Sequence, residues 1–498
     1  MKISRRNMLI GLGATGVAGL AYAQFGGTTT STIHSTGAQA LNIPPLDDGQ
    51  LEGGVRSYDL NMQTGVSQFF DNVNTASFGI NGAYLGPTLK MRVGETVRMN
   101  VNNNIGHTSS LHWHGMHLPA DQDGGPHQTI ENGSSWQAEF EVKQNAATLW
   151  YHSHMMGETA YQVYHGLAGV IIVEDEQANS LGLPQDYGID DIPLVLQDRK
   201  FHPDGRFDYT PGMEERMMGH FGDTMLVNGT VNPYFDAASD SLRIRLLNGS
   251  NARFYDLSFD DGRSFHQIAS DGGLLEQPVK LTSLVLSPGE RAELIIDLSD
   301  GKTATLSSKT PGSDDFFSDV INILGSSDGR FKILEIRPNE QRKAAIELPT
   351  KLTTLDVVDE TIAVKTRTFD LDMGMGVAMM LGNVGDNMSI NGKPMDMKHI
   401  NEVVKLDSTE IWHITNSSFA AHPFHIHDVQ FRIIDRDGKP PSPTEAGLKD
   451  TVLIPEGESV RLLLKFTDYA DPDSPYMYHC HILEHEDEGM MGQFTVVA

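Results

Sequence analysis

The sequence predicts an all-β fold built from three β-sandwich domains. Three observations carry that reading: short runs in which apolar and polar residues alternate, turn residues bounding each run, and motifs that recur at long period. Leu89, Met91 and Val93 alternate, as do Val97, Met99 and Val101. Leu242, Ile244 and Leu246 keep the same period, and so do Val460, Leu462, Leu464 and Phe466. Residues two apart lie on one face of a strand, so each run can bury one face. Gly, Asn, Asp or Pro bounds each run, which is the punctuation of an antiparallel sandwich rather than of a helical protein.

The repetition divides the chain. Asn132-Gly133-Ser134-Ser135-Trp136, Pro288-Gly289-Glu290-Arg291-Ala292 and Glu456-Gly457-Glu458-Ser459-Val460 each open a comparable strand. After the first come Trp150-Tyr151-His152-Ser153-His154 and an apolar run from Gly166 to Val173. After the third come Met477-Tyr478-His479-Cys480-His481 and a run from Gly489 to Val497; the middle copy lacks the histidine segment. Upstream, Leu111-His112-Trp113-His114-Gly115 answers His422-Pro423-Phe424-His425-Ile426-His427. Three units of about 150 residues each fit the usual domain size. They are expected over residues 45–178, 188–345 and 362–498.

The first residues have another purpose. Ser4-Arg5-Arg6-Asn7-Met8-Leu9, an apolar small-residue stretch and Ala21-Tyr22-Ala23 have the layout of an export signal with paired arginines. Residues 1–23 are therefore expected to be a twin-arginine signal peptide, recognised by the twin-arginine export machinery. The mature form would start near Gln24 in the bacterial periplasm. No apolar run is long enough to span a membrane, so no membrane span is expected in the mature form. A formal net charge of −29 repels nucleic acid and anionic lipid and attracts cations. No nucleic-acid partner is expected, and the chain is expected to act as a monomer.

Cys480 is the only cysteine in 498 residues, so no internal disulfide can form. Its neighbours favour a metal over a free thiol. Cys, His and Met in the order Cys480, His485, Met490 make up the ligand set of a blue copper centre, with a weak axial thioether. On an extended segment Cys480 points one way while His479 and His481 point the other, so one peptide can touch two metal sites. Four histidine clusters stand out: His112-x-His114, His152-x-His154, His422-x-x-His425-x-His427 and His479-Cys480-His481-x-x-x-His485. An H-x-H pair on a strand projects both imidazoles to one side. With 20 histidines one pair could be chance, but four clusters, two in each outer repeat, are a metal constellation.

At these residues the chain resembles the bacterial three-domain multicopper oxidases, most closely the periplasmic cuprous oxidases of copper tolerance. H-x-H-G, H-x-H, H-x-x-H-x-H and H-C-H-x-x-x-H-x-x-x-x-M occur in family order across nearly the whole mature chain. The resemblance implies cupredoxin-like Greek-key sandwiches holding four copper ions. It implies His422, Cys480, His485 and axial Met490 at a type 1 blue copper, and His112 and His425 at a type 2 copper. It implies His114, His152, His154, His427, His479 and His481 at a binuclear type 3 pair, with the resulting trinuclear cluster between the first and third domains. It also implies that Asp123 and Glu486 donate protons, although hydrogen bonding to a ligand imidazole is an equally good reading of both. The implied activity couples one-electron oxidation of Cu(I), in copper detoxification, to four-electron reduction of O2 to water. Laccase-like oxidation of phenols or of another small reducing substrate, ferroxidase activity, non-enzymatic copper sequestration, and a degenerate structural paralogue of the oxidase fold with envelope or division functions are the alternatives; loss of ligands would mark the last, and none of the expected ligands is missing.

Methionines bear on the donor. Met373, Met375, Met379, Met380, Met388, Met395 and Met397 form one group, and Met213, Met217, Met218 and Met225 another. Thioethers are soft ligands for Cu(I), although methionine also fills irregular apolar gaps. Met373 and Met375, with Asp370 and Asp372 beside them, are the candidate substrate-copper site. The chain departs from the cuprous oxidases here: its methionine segment is shorter, and Ser417-Ser418-Phe419-Ala420-Ala421 stands where an acidic residue is expected before His422.

Overall fold

In the computed structural model, residues 37–309, 330–374 and 388–498 are described. The expected signal peptide, residues 1–23, and Met375, Met379 and Met380 lie outside the described residues. Six sheets form three sandwiches, so the expected all-β architecture is present.

In the first sandwich, one sheet runs in the order Leu46–Asp47, Thr88–Arg92, Ala168–Glu174, Ala147–His152, His112–His114. Its partner contains Val55–Phe70, Thr96–Asn104 and Ser135–Glu141, and Val97, Met99 and Val101 point between the two, fully buried. The second sandwich pairs a seven-stranded sheet centred on Ser241–Asn248 with a six-stranded one centred on Phe331–Lys343 and Ala304–Lys309. In the third, Lys365–Met373, Thr409–Asn416 and Ser459–Lys465 face Met491–Val497, Asp471–Cys480 and His422–Ile426. Val460, Leu462, Leu464 and Phe466 fill the space between with Trp412, Phe424 and Phe494.

Three details depart from the sequence expectation. Val93 lies one residue past the strand Thr88–Arg92 and is 39% exposed. The sheets are mixed rather than purely antiparallel: Thr88–Arg92 runs parallel to Ala168–Glu174, Asp191–Arg199 to Ser241–Asn248, and Lys365–Met373 to Thr409–Asn416. Alternation reports which face of a strand is buried, not the direction of its neighbour. Finally, Gln39–Ala40 pairs with Pro233–Ser239, so the segment preceding the first sandwich is stitched into a sheet of the second.

The strand Ser241–Asn248 shows how the domains are joined. Leu242, Ile244 and Leu246 face their own core, yet Arg243 and Arg245 are also buried. Glu293 explains them. It accepts from Arg243 Nη2 at 2.5 Å, from Arg245 Nη1 at 2.9 Å, and from Thr148 Oγ1 of the first domain at 2.7 Å. Burial alone would raise the Glu293 carboxyl, but the two guanidiniums outweigh it and hold it down to about 2. Its contribution to stability is thus present above the unfolded value of 4.5 and is lost as pH falls toward about 2. Removing one partner of a buried ion pair typically costs about 3–5 kcal/mol. Glu293→Ala is therefore expected to lower the unfolding midpoint measured by calorimetry at neutral pH; an unchanged midpoint would contradict this account of the interface.

Candidate metal centres

The register of four strands assembles the histidine clusters. His422–Ile426 pairs antiparallel with Asp471–Cys480, placing Phe424 opposite Cys480 and His425 opposite His479. In the first domain, His112 lies opposite His152 and His114 opposite Trp150. Every imidazole of the four clusters, and Cys480, is at most 1% exposed. Desolvation holds His114, His152, His154, His422, His425 and His479 well below the ordinary histidine range, and His485 down to about 4. Neutral imidazoles are what a metal requires of such ligands.

On one side of the strand Asp471–Cys480, His422 Nδ1 lies 3.3 Å from Cys480 Sγ, His485 Nδ1 lies 3.6 Å from it, and the two nitrogens are 3.3 Å apart. The far nitrogens are occupied. His422 Nε2 lies 2.7 Å from Ser418 Oγ, and His485 Nε2 donates to the Met217 carbonyl at 2.9 Å. Burial pushes the Cys480 thiol well above its ordinary range, so a cation is needed to hold the thiolate. Met490 is buried in the same core cluster, its carbonyl accepting from Cys480 N at 3.0 Å and its N–H donating to His485 O at 2.9 Å.

On the other side, three all-histidine triads form among the described residues: His114, His152 and His481; His154, His427 and His479; and His112, His114 and His425. Within each triad one donor atom per residue lies within 4.8 Å of the others. The rings of His112 and His427 stack at 3.8 Å, and those of His114 and His425 at 3.7 Å. The clusters are therefore contiguous, with both outer domains contributing.

Hydrogen bonding shows which nitrogen each ring offers. His112, His152, His425 and His479 give Nδ1 to backbone carbonyls, of Asp123, Ser153, Asp450 and Cys480, at 2.8–3.0 Å. Among the described residues, Nε2 of His112, His152 and His425 then finds no hydrogen-bond partner. His114 is reversed: Nε2 donates to Asp450 Oδ1 at 3.1 Å and Nδ1 is the unpartnered atom. Both nitrogens of His481 are also without a partner. Buried polar atoms are nearly always satisfied, so this set of orphans, converging in triads, fits metal ions.

Two carboxyls besides Asp450 touch the clusters. Asp123 Oδ2 accepts from His427 Nδ1 at 2.7 Å and its Oδ1 lies 3.3 Å from His112 Nδ1. Burial alone would raise Asp123, but His112 and His427 outweigh it and hold it below the ordinary carboxylate range. Gly124 keeps this loop in place: at φ 73° a side-chain carbon there would sit 1.8 Å from the Leu111 carbonyl. Glu486 lies 3.3 Å from His154 Nδ1 and 3.2 Å from His479 Nδ1. Burial drives its carboxyl well above the ordinary range.

Two sequence profiles described as Multicopper oxidase match residues 61–178 and 369–498. The Multicopper oxidase mco of Staphylococcus aureus is 37% identical over 467 residues, spanning 93% of each chain. The chain belongs to the multicopper oxidase family. A solved structure of a bacterial laccase-like multi-copper oxidase, CueO, from the lignin-degrading bacterium Ochrobactrum sp. is 39% identical, with a TM-score of 0.82 over 92% of this chain and all of that one. The Cell division protein FtsP of Proteus mirabilis is 33% identical over 479 residues, 94% of this chain and 95% of that protein. The three sandwiches are the cupredoxin-like domains of this family, and the protein is a copper oxidoreductase. Family membership implies O2 as the electron acceptor.

Of the candidate substrate-copper residues, the three that are described, Met373, Asp370 and Asp372, are not brought together. Met373 is 4% exposed, inside the core of the third domain with Phe369 and Leu371. Asp370 and Asp372, at the alternate positions of the strand Lys365–Met373, face the other way; Asp370 accepts from Ser417 Oγ at 2.9 Å. Strand alternation itself separates them. The other methionine group is better placed: the helix Met213–Met218 lies against the helix Leu483–Asp487, which carries His485, and Met217 packs on the core beneath.

Sequence reasoning missed Ser418, the Met217 carbonyl and Asp450, none of which belongs to a motif. It also missed a clip between the outer domains. His117 donates to Asp428 at 2.7 Å and to Asp468 at 3.0 Å, and Asp468 also accepts from Lys143 at 2.7 Å. Burial alone would lower His117, but Asp428 and Asp468 outweigh it and raise it from 6.5 to about 9. A raised value stabilises the fold fully below 6.5 and is lost as pH rises through about 9. Thermal melts across that window should show the native midpoint falling more steeply than that of His117→Gln; parallel curves would rule the clip out.

Proposed function

We propose that the protein couples one-electron oxidation of a small donor, Cu(I) foremost, to four-electron reduction of O2 to water, as a periplasmic copper-homeostasis oxidase. His422, Cys480, His485 and Met490 would hold the type 1 copper. His112 and His425 would hold type 2, while His114, His152 and His481 hold one type 3 ion and His154, His427 and His479 the other. Four coppers in all, when bound, supply single-electron cycling and the place where dioxygen is reduced. The chain supplies the path between them, because Cys480 reaches one site while the adjacent His479 and His481 reach the other. Asp123 and Glu486, each against two cluster imidazoles, orient those rings and would pass protons inward.

The observation that favours a small donor is the covering of His485. It is fully buried, and its outer nitrogen is occupied by the Met217 carbonyl, so a bulky organic cannot touch this imidazole. The helix Met213–Met218 instead offers methionines above it, Met213 being 42% exposed. The second reading, oxidation of phenols, draws on the Ochrobactrum relative, which is described as acting on lignin model compounds and lignosulfonate.

Oxygen uptake by the copper-loaded protein decides between them. Cu(I) is expected to give a higher kcat/KM than Fe(II) or a phenol, and no uptake with any of the three would remove the oxidase reading. Met213→Leu with Met218→Leu is expected to lower kcat/KM for Cu(I) about tenfold through loss of soft ligands, with the phenol rate held; an equal loss for both donors would assign these methionines to packing. Cys480→Ser should abolish the blue colour and turnover while the circular dichroism of the sandwiches persists.

A further inference from the structure

We propose that the second domain, which carries none of the histidine clusters, positions the metal cluster of the other two. Arg291 is the positioning residue, and it acts through Asp450 on His114. The inference rests on the reading above that His114 is a metal ligand.

The strand Arg291–Asp297 begins beside the cluster. Arg291 is fully buried and forks onto Asp450 of the third domain, with Nη1 2.6 Å from Oδ1 and Nη2 2.5 Å from Oδ2. Its remaining donors are also used. Nε donates to the Thr148 carbonyl of the first domain at 3.1 Å, Nη1 to the Gly289 carbonyl at 3.1 Å, and Nη2 to the Asp271 carbonyl at 3.0 Å. One guanidinium therefore ties all three domains together. A planar fork with fixed donors orients a carboxylate in a way that a lysine cannot.

Asp450 passes that orientation on. Its Oδ1 accepts from His114 Nε2 at 3.1 Å and from Thr451 Oγ1 at 3.0 Å. His112, His152, His425 and His479 have Nδ1 tied to a backbone carbonyl and so turn Nε2 toward the metals. His114 must do the reverse, and it has no carbonyl to hold it. A carboxylate fixed by Arg291 is what keeps the proton on Nε2 and leaves Nδ1 to join His152 and His481.

The same turn walls the site directly. At Gly289, φ 83°, a side-chain carbon would lie 2.8 Å from His481 Cδ2 and 2.9 Å from its Cγ. Only a glycine allows this backbone to approach the imidazole so closely. Neither ring nitrogen of His481 has a hydrogen-bond partner among the described residues, so packing limits the swing of its ring, with this contact on one side and Trp150 at 5.4 Å on another. Lys449, adjacent to Asp450, anchors the turn from behind by pairing with Asp271 at 2.8 Å and Glu290 at 3.0 Å.

The test begins with the metal-free protein, labelled with 15N at histidine. His114, assigned by its absence from His114→Gln, is expected to carry its proton on Nε2; a proton on Nδ1 overturns the proposal, whatever any variant does. In Arg291→Met and in Asp450→Asn, the Nε2–H form of His114 should lose its dominance. Copper analysis should then show the affinity for one ion of the type 3 pair lowered about 10–100-fold, the usual cost of losing such a partner, with the blue absorbance retained. Arg291→Lys should fall between. An unchanged tautomer and full copper content in Arg291→Met would overturn the proposal. Failure of the unaltered protein to take up copper would instead count against the ligand assignment, since the tautomer is read without metal.

Discussion

Neighbouring side chains on a strand cannot face the same way, and at His479-Cys480-His481 that constraint governs the rest of the structure. The sulfur lies with His422 and His485 on one side, and both imidazoles lie among the remaining histidines on the other. Two sites are thereby joined through consecutive residues, with no separate device needed to hold them at a fixed separation. The strand must be buried on both faces, because every ligand in it is desolvated. A neutral imidazole and an uncharged thiol tolerate such burial, whereas the thiolate exists only with a cation beside it.

Burial on that scale requires more than one domain. One sandwich offers two inner faces, and the third domain uses its own for a core of Trp412, Phe424, Phe466 and Phe494. The outward histidines are enclosed instead by the first domain, through His112, His114, His152 and His154. The second domain completes the enclosure with the turn that carries Gly289 and Arg291. The interfaces hold buried charge in matched form, with Glu293 between Arg243 and Arg245, and Arg291 on Asp450. Such pairs add little net stability beside apolar packing, but they penalise any other docking by leaving a charge alone. In a molecule whose metal site is assembled from separate domains, fixing that docking is itself functional.

Much of this was legible in the chain. Alternation located Val97, Met99, Val101 and the run from Val460 to Phe466, because burial of one strand face leaves a local mark. The ligand clusters were legible for the same reason, most ligands being two or three residues apart on, or just past, one strand, with His485 on the helix Leu483–Asp487 the exception. What stayed hidden depends on long-range pairing. Arg243 and Arg245 sit at the polar positions of an alternating run, and only the neighbouring domain turns those positions into buried ones. Asp450 and Arg291 belong to different domains, and neither position announces the other. Met373 is close to Asp370 and Asp372 in sequence, but the strand period sets its side chain on the opposite face from theirs.

The assignment of each copper to its ligands is tested most directly by crystallography of the copper-loaded protein with data on both sides of the copper absorption edge. The account predicts anomalous peaks at the centres of His422, Cys480 and His485, of His114, His152 and His481, and of His154, His427 and His479, with a further peak between His112 and His425. A copper ion missing from any of these positions after full loading, or bound at Asp370 and Asp372 in place of one of them, would contradict it.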